Sequence, residues 1–279
     1  MSTSNENQQI RIERRTPAYW KVLLENPPFN IFGPDTIPQL GAVIVALETE
    51  PALKVVVFES TVPGFFLNHY DFTRPLEESM SLASGPTGMH PLPDMLARLT
   101  RAPVVSIASI RGRATGVGGE LAVACDMRFA SREEALLSQW EVGAALVTGG
   151  GPLARLSRLV GRGRTMEILL SGADINGEMA QLYGYVNRSL PDSELDGFVD
   201  RLASRIATFD KSVLATFKRL INNATLPSDS DVNAEWTAFI DSLQRPEAQR
   251  RIKQLMDMGL QTSPDIERRL NQITGTLGG

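Results

Sequence analysis

Polar and apolar positions alternate over residues 10–24, with Ile10, Ile12, Trp20, Val22 and Leu24 at strand spacing before the turn at Asn26, Pro27 and Pro28. That predicts a β-hairpin or two strands closed by a turn. From residue 35 the period becomes helical: Ile37, Leu40, Val43, Ile44 and Leu47 recur every three or four positions behind Asp35, a candidate N-cap. Residues 54–58 (KVVVF) and 104–110 (VVSIASI) are short β-branched runs of the kind buried on both faces of a parallel sheet. Between them a loop at 84–88 precedes an amphipathic stretch with Met95, Leu96 and Leu99. Residues 121–124 read as a small-residue helix and 127–130 as a further buried strand. This alternation is the rhythm of an α/β core. Beyond Pro191 the pattern changes, and residues 195–206, 212–223, 232–243 and 247–258 each read as helix. The chain divides into an α/β part, residues 1–200, and a helical part, residues 201–279, whose last five residues read as a frayed tail.

Composition changes this picture mainly by exclusion. With 28 Lys and Arg against 32 Asp and Glu the net charge is −4, so the basic excess that phosphate backbones require is missing and no nucleic-acid partner is expected. No stretch reads as a membrane span, and the polar N-terminus lacks the apolar segment of a secretion signal. A cytoplasmic protein is the expectation. Cys125 is the one cysteine and lies among apolar neighbours, which points to a buried, inert thiol. Only His69 and His90 could join it in a metal site, so no metal is expected, and no motif asks for a redox cofactor or prosthetic group. His90, beside Pro91, reads as a surface loop residue.

The densest chemical signal runs from residue 107 to 128. A buried strand enters a turn with Gly112, Gly116, Gly118 and Gly119, and a helix begins near Glu120. Backbone N–H groups at such a helix start can hold an anion or oxyanion, while the same glycines could serve only a tight turn with close packing. The third glycine of a dinucleotide-binding fingerprint is absent, and so is the Gly-Lys-Ser/Thr of a phosphate-binding loop. Glu120 could be a group that offsets the helix dipole. Glu141 stands alone in a glycine-rich, apolar stretch, where a carboxyl tends to keep its proton and can donate it. Two carboxyls beside an oxyanion-binding turn could divide base and acid duties.

This stretch, GVGGELAVACD at 116–126 above all, resembles the signature of the crotonase (enoyl-CoA hydratase/isomerase) superfamily. The similarity continues through Gln139 and Glu141, the glycines Gly149 to Gly151, Arg155 and Leu156, Gly161, Gly172 and the Ala180 to Val186 segment. Upstream, Asn26 to Asn30 and the loop from Phe66 to Phe72 resemble the family's early turn and its F-x-x-G-x-D loop. The resemblance implies an α/β fold, a crotonase-like spiral of ββα units with a helical C-terminal trimerisation region, assembled as a homotrimer or a dimer of trimers. Coenzyme A enters as part of an acyl-CoA substrate. By position, the amides of Tyr70 and Val117 would stabilise a thioester enolate, aided by the helix that begins near Gly118. Such donors typically contribute ~2.7–4 kcal/mol each to lowering a barrier. Glu120 would activate water and Glu141 would protonate Cα. Gly116, Gly118, Gly149, Asn30, His69, Asp71 and Trp140 would line the substrate site.

Hydration of a 2-enoyl-CoA is the first expectation from this resemblance. The family usually has Gly-Ala where this chain has His69 and Tyr70, and often glycine at Val117. A histidine in that loop meets any backbone strain that glycine would relieve, so the first oxyanion donor could be reshaped. His69 could instead point to solvent, pack on a neighbouring subunit or reach into the site, and Tyr70 could be a pocket wall that offers only its amide. Three alternatives stay open: an enoyl-CoA isomerase, a C–C or thioester hydrolase using His69 and Tyr70, and a non-catalytic binding protein of the same fold.

Overall fold

The computed structural model describes residues 8–278, so the first seven residues of the polar N-terminus and Gly279 lie outside the described part. The predicted hairpin forms as β1 (Ile10–Thr16) and β2 (Tyr19–Leu24), antiparallel. The helical period that follows is α1 (Thr36–Thr49). Asp35 holds the N-cap position without a side-chain capping bond, because its carboxylate is turned to Arg74 at 3.0 Å. The run 54–58 becomes β3 (Val55–Ser60), which is followed by the three-residue β4 (Phe65–Leu67), the short α2 (Leu76–Met80) and α3 (Pro91–Arg101). The same succession repeats with β5 (Val105–Ile110), β6 (Arg113–Thr115) and α4 (Val117–Ala124). It repeats again with β7 (Met127–Ser131), β8 (Leu136–Ser138), α5 (Pro152–Leu159) and α6 (Arg162–Ser171). A closing turn adds β9 (Ile175–Asn176), α7 (Gly177–Tyr183) and β10 (Arg188–Leu190).

In each repeat the first strand joins one sheet, ordered β1-β2-β3-β5-β7-β10, and the second joins another, ordered β4-β6-β8-β9. This is the expected spiral of ββα units. The β-branched runs are mostly apolar because both faces of the larger sheet are covered. Val56 and Phe58 face the main core with α1, α3 and α4, while Val55 and Val57 pack under Leu195, Val199 and Ala203 of α8 (Asp192–Ala207).

The remaining helices are α9 (Lys211–Thr225), α10 (Asp229–Leu243), α11 (Pro246–Met258), α12 (Pro264–Arg268) and α13 (Leu270–Thr274). Helices α10 to α13 build a second apolar cluster, in which Leu243, Leu255, Leu260, Leu270 and Ile273 enclose Trp140 and Leu146. The helical region thus shares a core with the segment that carries Glu141. The described end of the chain is not frayed: Leu277 is buried in that cluster and its carbonyl accepts from Arg250. His90 is likewise no surface loop residue. It is half-buried, it stacks on Trp236 with ring centroids 4.1 Å apart, and its Nε2 meets the Ser79 carbonyl. Cys125 is buried as expected, and burial pushes its thiol up to about 12.

Candidate active site

A cavity of about 210 Å³ opens where the β4–α2 loop, the start of α4, the segment after β8 and helices α10 and α11 meet. The glycines of the 112–119 turn are what allow those elements to approach. A Cβ on Gly118 would lie 1.8 Å from the Leu67 carbonyl oxygen, so α4 can start against the end of β4 only without a side chain there. Gly116 has φ +54°, a conformation that costs a glycine little, and a Cβ on it would crowd both His69 and Glu141 Oε1. Of the two readings left open by the sequence, the close packing of a tight glycine turn is present at this helix start.

The backbone N–H groups of Tyr70 and Val117, both at the cavity wall, have no acceptor among the described residues. Around Tyr70 the backbone is clamped. The Phe32 amide donates to the His69 carbonyl at 3.0 Å, and the Asp71 amide donates to the Phe32 carbonyl at 2.8 Å. His69 is not among the residues with positive φ, so a histidine fits this loop without the strain that would call for glycine.

Both acids reach the cavity and both are buried. Glu120 is pushed up from its ordinary 4.5 to about 7. Burial is the main cause and Glu235 adds to it, while the Gly150 and Gly149 amides, donating to Oε1 at 2.7 and 3.1 Å, oppose the rise. Glu141 is pushed up to about 8, by burial first and by the nearby Glu120 second, and its Oε2 has no hydrogen-bond partner among the described residues. The folded chain therefore holds protons on this pair that the unfolded chain releases just above 4.5. Stability gained by keeping the pair neutral is fully present below that value and is lost as pH rises through about 7 and 8. We expect the melting temperature of the unliganded protein to fall across this window and the fall to flatten in a Glu120→Gln/Glu141→Gln double variant. An unchanged slope in that variant would assign the pH dependence to other groups.

The other candidates separate into two sets. Trp140 and Gly149 line the cavity, as do His69 and Asp71, though the last two are held by protein groups: His69 by Glu267 and the Tyr70 carbonyl, Asp71 by Thr73 and Gln261. His69 is buried, neither solvent-facing nor free to act on a substrate. Asn30 does not reach the cavity. It is fully buried at φ +53°, and its side chain ties together the Leu24 and Phe66 carbonyls, Ser60 and the Asn26 amide, so it shapes the turn that carries Phe32. Tyr70 Oη bonds Ser79 Oγ, which anchors the ring to α2 and leaves the amide as the group it offers.

Sequence reasoning missed the far wall, Trp236, Phe239, Leu243 and Ile252, because residues on α10 and α11 gave only a helical period. It also missed a third buried acid, Glu235, which accepts from Thr148 and from the Leu153 and Ala154 amides at the start of α5.

The chain is similar to known proteins. A family model described as enoyl-CoA hydratase/isomerase matches residues 16–262. A Streptomyces avermitilis crystal structure, provisionally described as an enoyl-CoA hydratase, is 36% identical, superimposes with a TM-score of 0.92 and covers 99% of either chain. Among curated proteins, the mitochondrial enoyl-CoA hydratase domain-containing protein 2 of Mus musculus is 30% identical over 62% of this chain and 58% of its own length. The short-chain-enoyl-CoA hydratase of Clostridium acetobutylicum is 29% identical over 69% of this chain and 73% of its own. For the first curated relatives the match spans about half of their length. Among the described residues, no helix is long and apolar enough to cross a membrane.

Proposed function

The chain belongs to the enoyl-CoA hydratase/isomerase family, and from that premise we propose that it adds water across the 2,3 double bond of an enoyl-CoA thioester. The observation that carries this reading is a pair of buried carboxyls, both raised toward neutrality, facing one cavity beside two unengaged backbone amides. The thioester carbonyl oxygen takes the amides of Tyr70 and Val117. Ionised Glu120 accepts a proton from water as the water oxygen bonds to Cβ, and the π electrons move onto the carbonyl oxygen as an enolate. Glu141 then gives its proton to Cα as the carbonyl re-forms, leaving a 3-hydroxyacyl thioester. The ordering of the two acids suits these roles. The Gly149 and Gly150 amides favour the charged form of Glu120, whereas Glu141 has an unpaired oxygen and the higher value.

A hydrolase that uses His69 fits less well, since both of its ring nitrogens already face protein acceptors. The cavity walls, with Phe72, Trp140, Leu146 and Phe239, favour an apolar acyl group. At about 210 Å³ the space exceeds the ~150 Å³ that holds a benzene ring in an engineered cavity. The homotrimer belongs to the same proposal: α9 exposes Val213, Phe217, Leu220 and Ile221, an apolar face that subunit contact would cover.

The test is the loss of enoyl-thioester absorbance with crotonyl-CoA and cinnamoyl-CoA across pH. Because the reactive state has one acid ionised and the other protonated, kcat/KM should be bell-shaped with its maximum between about 7 and about 8. A rate rising through a single ionisation to a plateau would mean that only one acid takes part.

A further inference from the structure

The loop that presents the Tyr70 amide is held from the far end of the chain. Glu267, on α12, is buried, and its Oε2 accepts from Asn68 Nδ2 at 2.6 Å and faces His69 Nε2 at 3.1 Å. Its Oε1 accepts the Gln261 amide at 2.6 Å. The other ring nitrogen of His69 lies 2.8 Å from the Tyr70 carbonyl oxygen, and Thr115, at the end of β6, donates to Asn68 Oδ1. Gln261 turns its side chain to the same loop, with Oε1 accepting the Phe72 amide at 2.7 Å and Nε2 donating to Asp71 Oδ1 at 2.8 Å. Burial pushes the Glu267 carboxyl up, but the facing imidazole and the amide donors outweigh it and hold the group below its ordinary range.

We propose that Glu267 and Gln261 are positioning residues that fix the His69–Tyr70 peptide so that the Tyr70 amide points at the substrate's thioester carbonyl. The inference rests on the hydratase reading only for the identity of that carbonyl. Every side-chain bond that these two residues make is to the stretch from Asn68 to Phe72 or to each other. The carbonyls of His69 and Tyr70, the amides of Asp71 and Phe72, and the Asp71 side chain are all engaged, while the Tyr70 N–H at the cavity wall is not. A peptide that cannot rotate keeps its donor aimed before substrate arrives, which is where preorganised donors draw their effect. A buried carboxylate is costly to keep unless its partners use it fully, and here they do.

The test reads the carbonyl rather than turnover. In a Glu141→Gln background, which leaves the thioester unconsumed, bound cinnamoyl-CoA should absorb at longer wavelength than free, because the two amides pull electron density onto its carbonyl oxygen. Adding Glu267→Gln or Gln261→Ala should move the band part of the way back, with binding little changed and the melting temperature lowered by the lost buried bonds. With Glu141 intact, the same two substitutions should lower kcat by up to ~10²-fold with KM nearly constant, as expected for a misaimed group. Gln261→Ala keeps the test alive should Glu267→Gln fail to fold. A full red shift retained in both variants would overturn the proposed strap alone. No red shift with the strap intact would overturn the oxyanion site and the strap with it.

Discussion

Glu141→Gln should lower kcat for hydration by ~10²–10⁴-fold, the usual contribution of a positioned acid or base, while the thioester still binds. The substitution keeps the shape and removes the transferable proton. Its Oε2 has no protein partner, so the fold loses no bond there. Glu120→Gln should be equally severe for the complementary reason: an amide oxygen can still accept from Gly149 and Gly150, which preserves the loop, but it cannot take a proton from water. Because Glu120 raises its neighbour, Glu141 should titrate lower in Glu120→Gln, which infrared difference spectra of the carboxyl band would report. If Glu120→Gln abolished turnover and Glu141→Gln left it intact, the reaction would be a one-acid reaction, and isomerisation would replace hydration as the best reading.

Gly118→Ala should be almost as damaging without touching a titratable group. The added methyl would meet the carbonyl oxygen of Leu67 at 1.8 Å and its carbon at 2.6 Å, and both are backbone atoms that cannot rotate away. Either α4 recedes, which moves the Val117 amide and Glu120, or β4 recedes, which moves the loop bearing Tyr70. Overpacking of this kind typically costs ~1–3 kcal/mol of stability. A displacement near 1 Å at a catalytic group can cost ~10²-fold in rate. Melting temperature and kcat should therefore fall together, and wild-type values for both would show that the close approach of α4 to β4 is dispensable.

Much of this was legible in the chain. The hairpin, α1 and α8 to α11 followed from period and the two longer strands from their β-branched runs, because each is long enough for its apolar pattern to show. The smaller sheet was not: Phe65–Leu67, Arg113–Thr115 and Leu136–Ser138 are three residues each, too short to show an alternation, and they exist because they pair with one another. Glycine spacing exposed the α4 turn, where the pattern records positions with no room for a side chain. Glu141 stood out as an acid in apolar surroundings and Glu120 as an acid at the start of the glycine-turn helix, and burial raises both. His69 was harder. Its partner Glu267 is 198 residues away in a short helix whose acidic first turn looks like any other, so nothing local marks the pair. The same distance hid the role of the final residues, read as a loose tail until Leu277 proved to be buried.

In the hydration proposed for this chain, the two glutamates add a molecule of water to a carbon–carbon double bond. The most direct test is mass analysis of the product formed from crotonyl-CoA in water labelled with heavy oxygen. Hydration should give a CoA thioester heavier by one labelled water, with the label on Cβ, and Glu141→Gln should give none. A thioester of unchanged mass with a moved double bond, or label appearing in a released carboxylate, would contradict it.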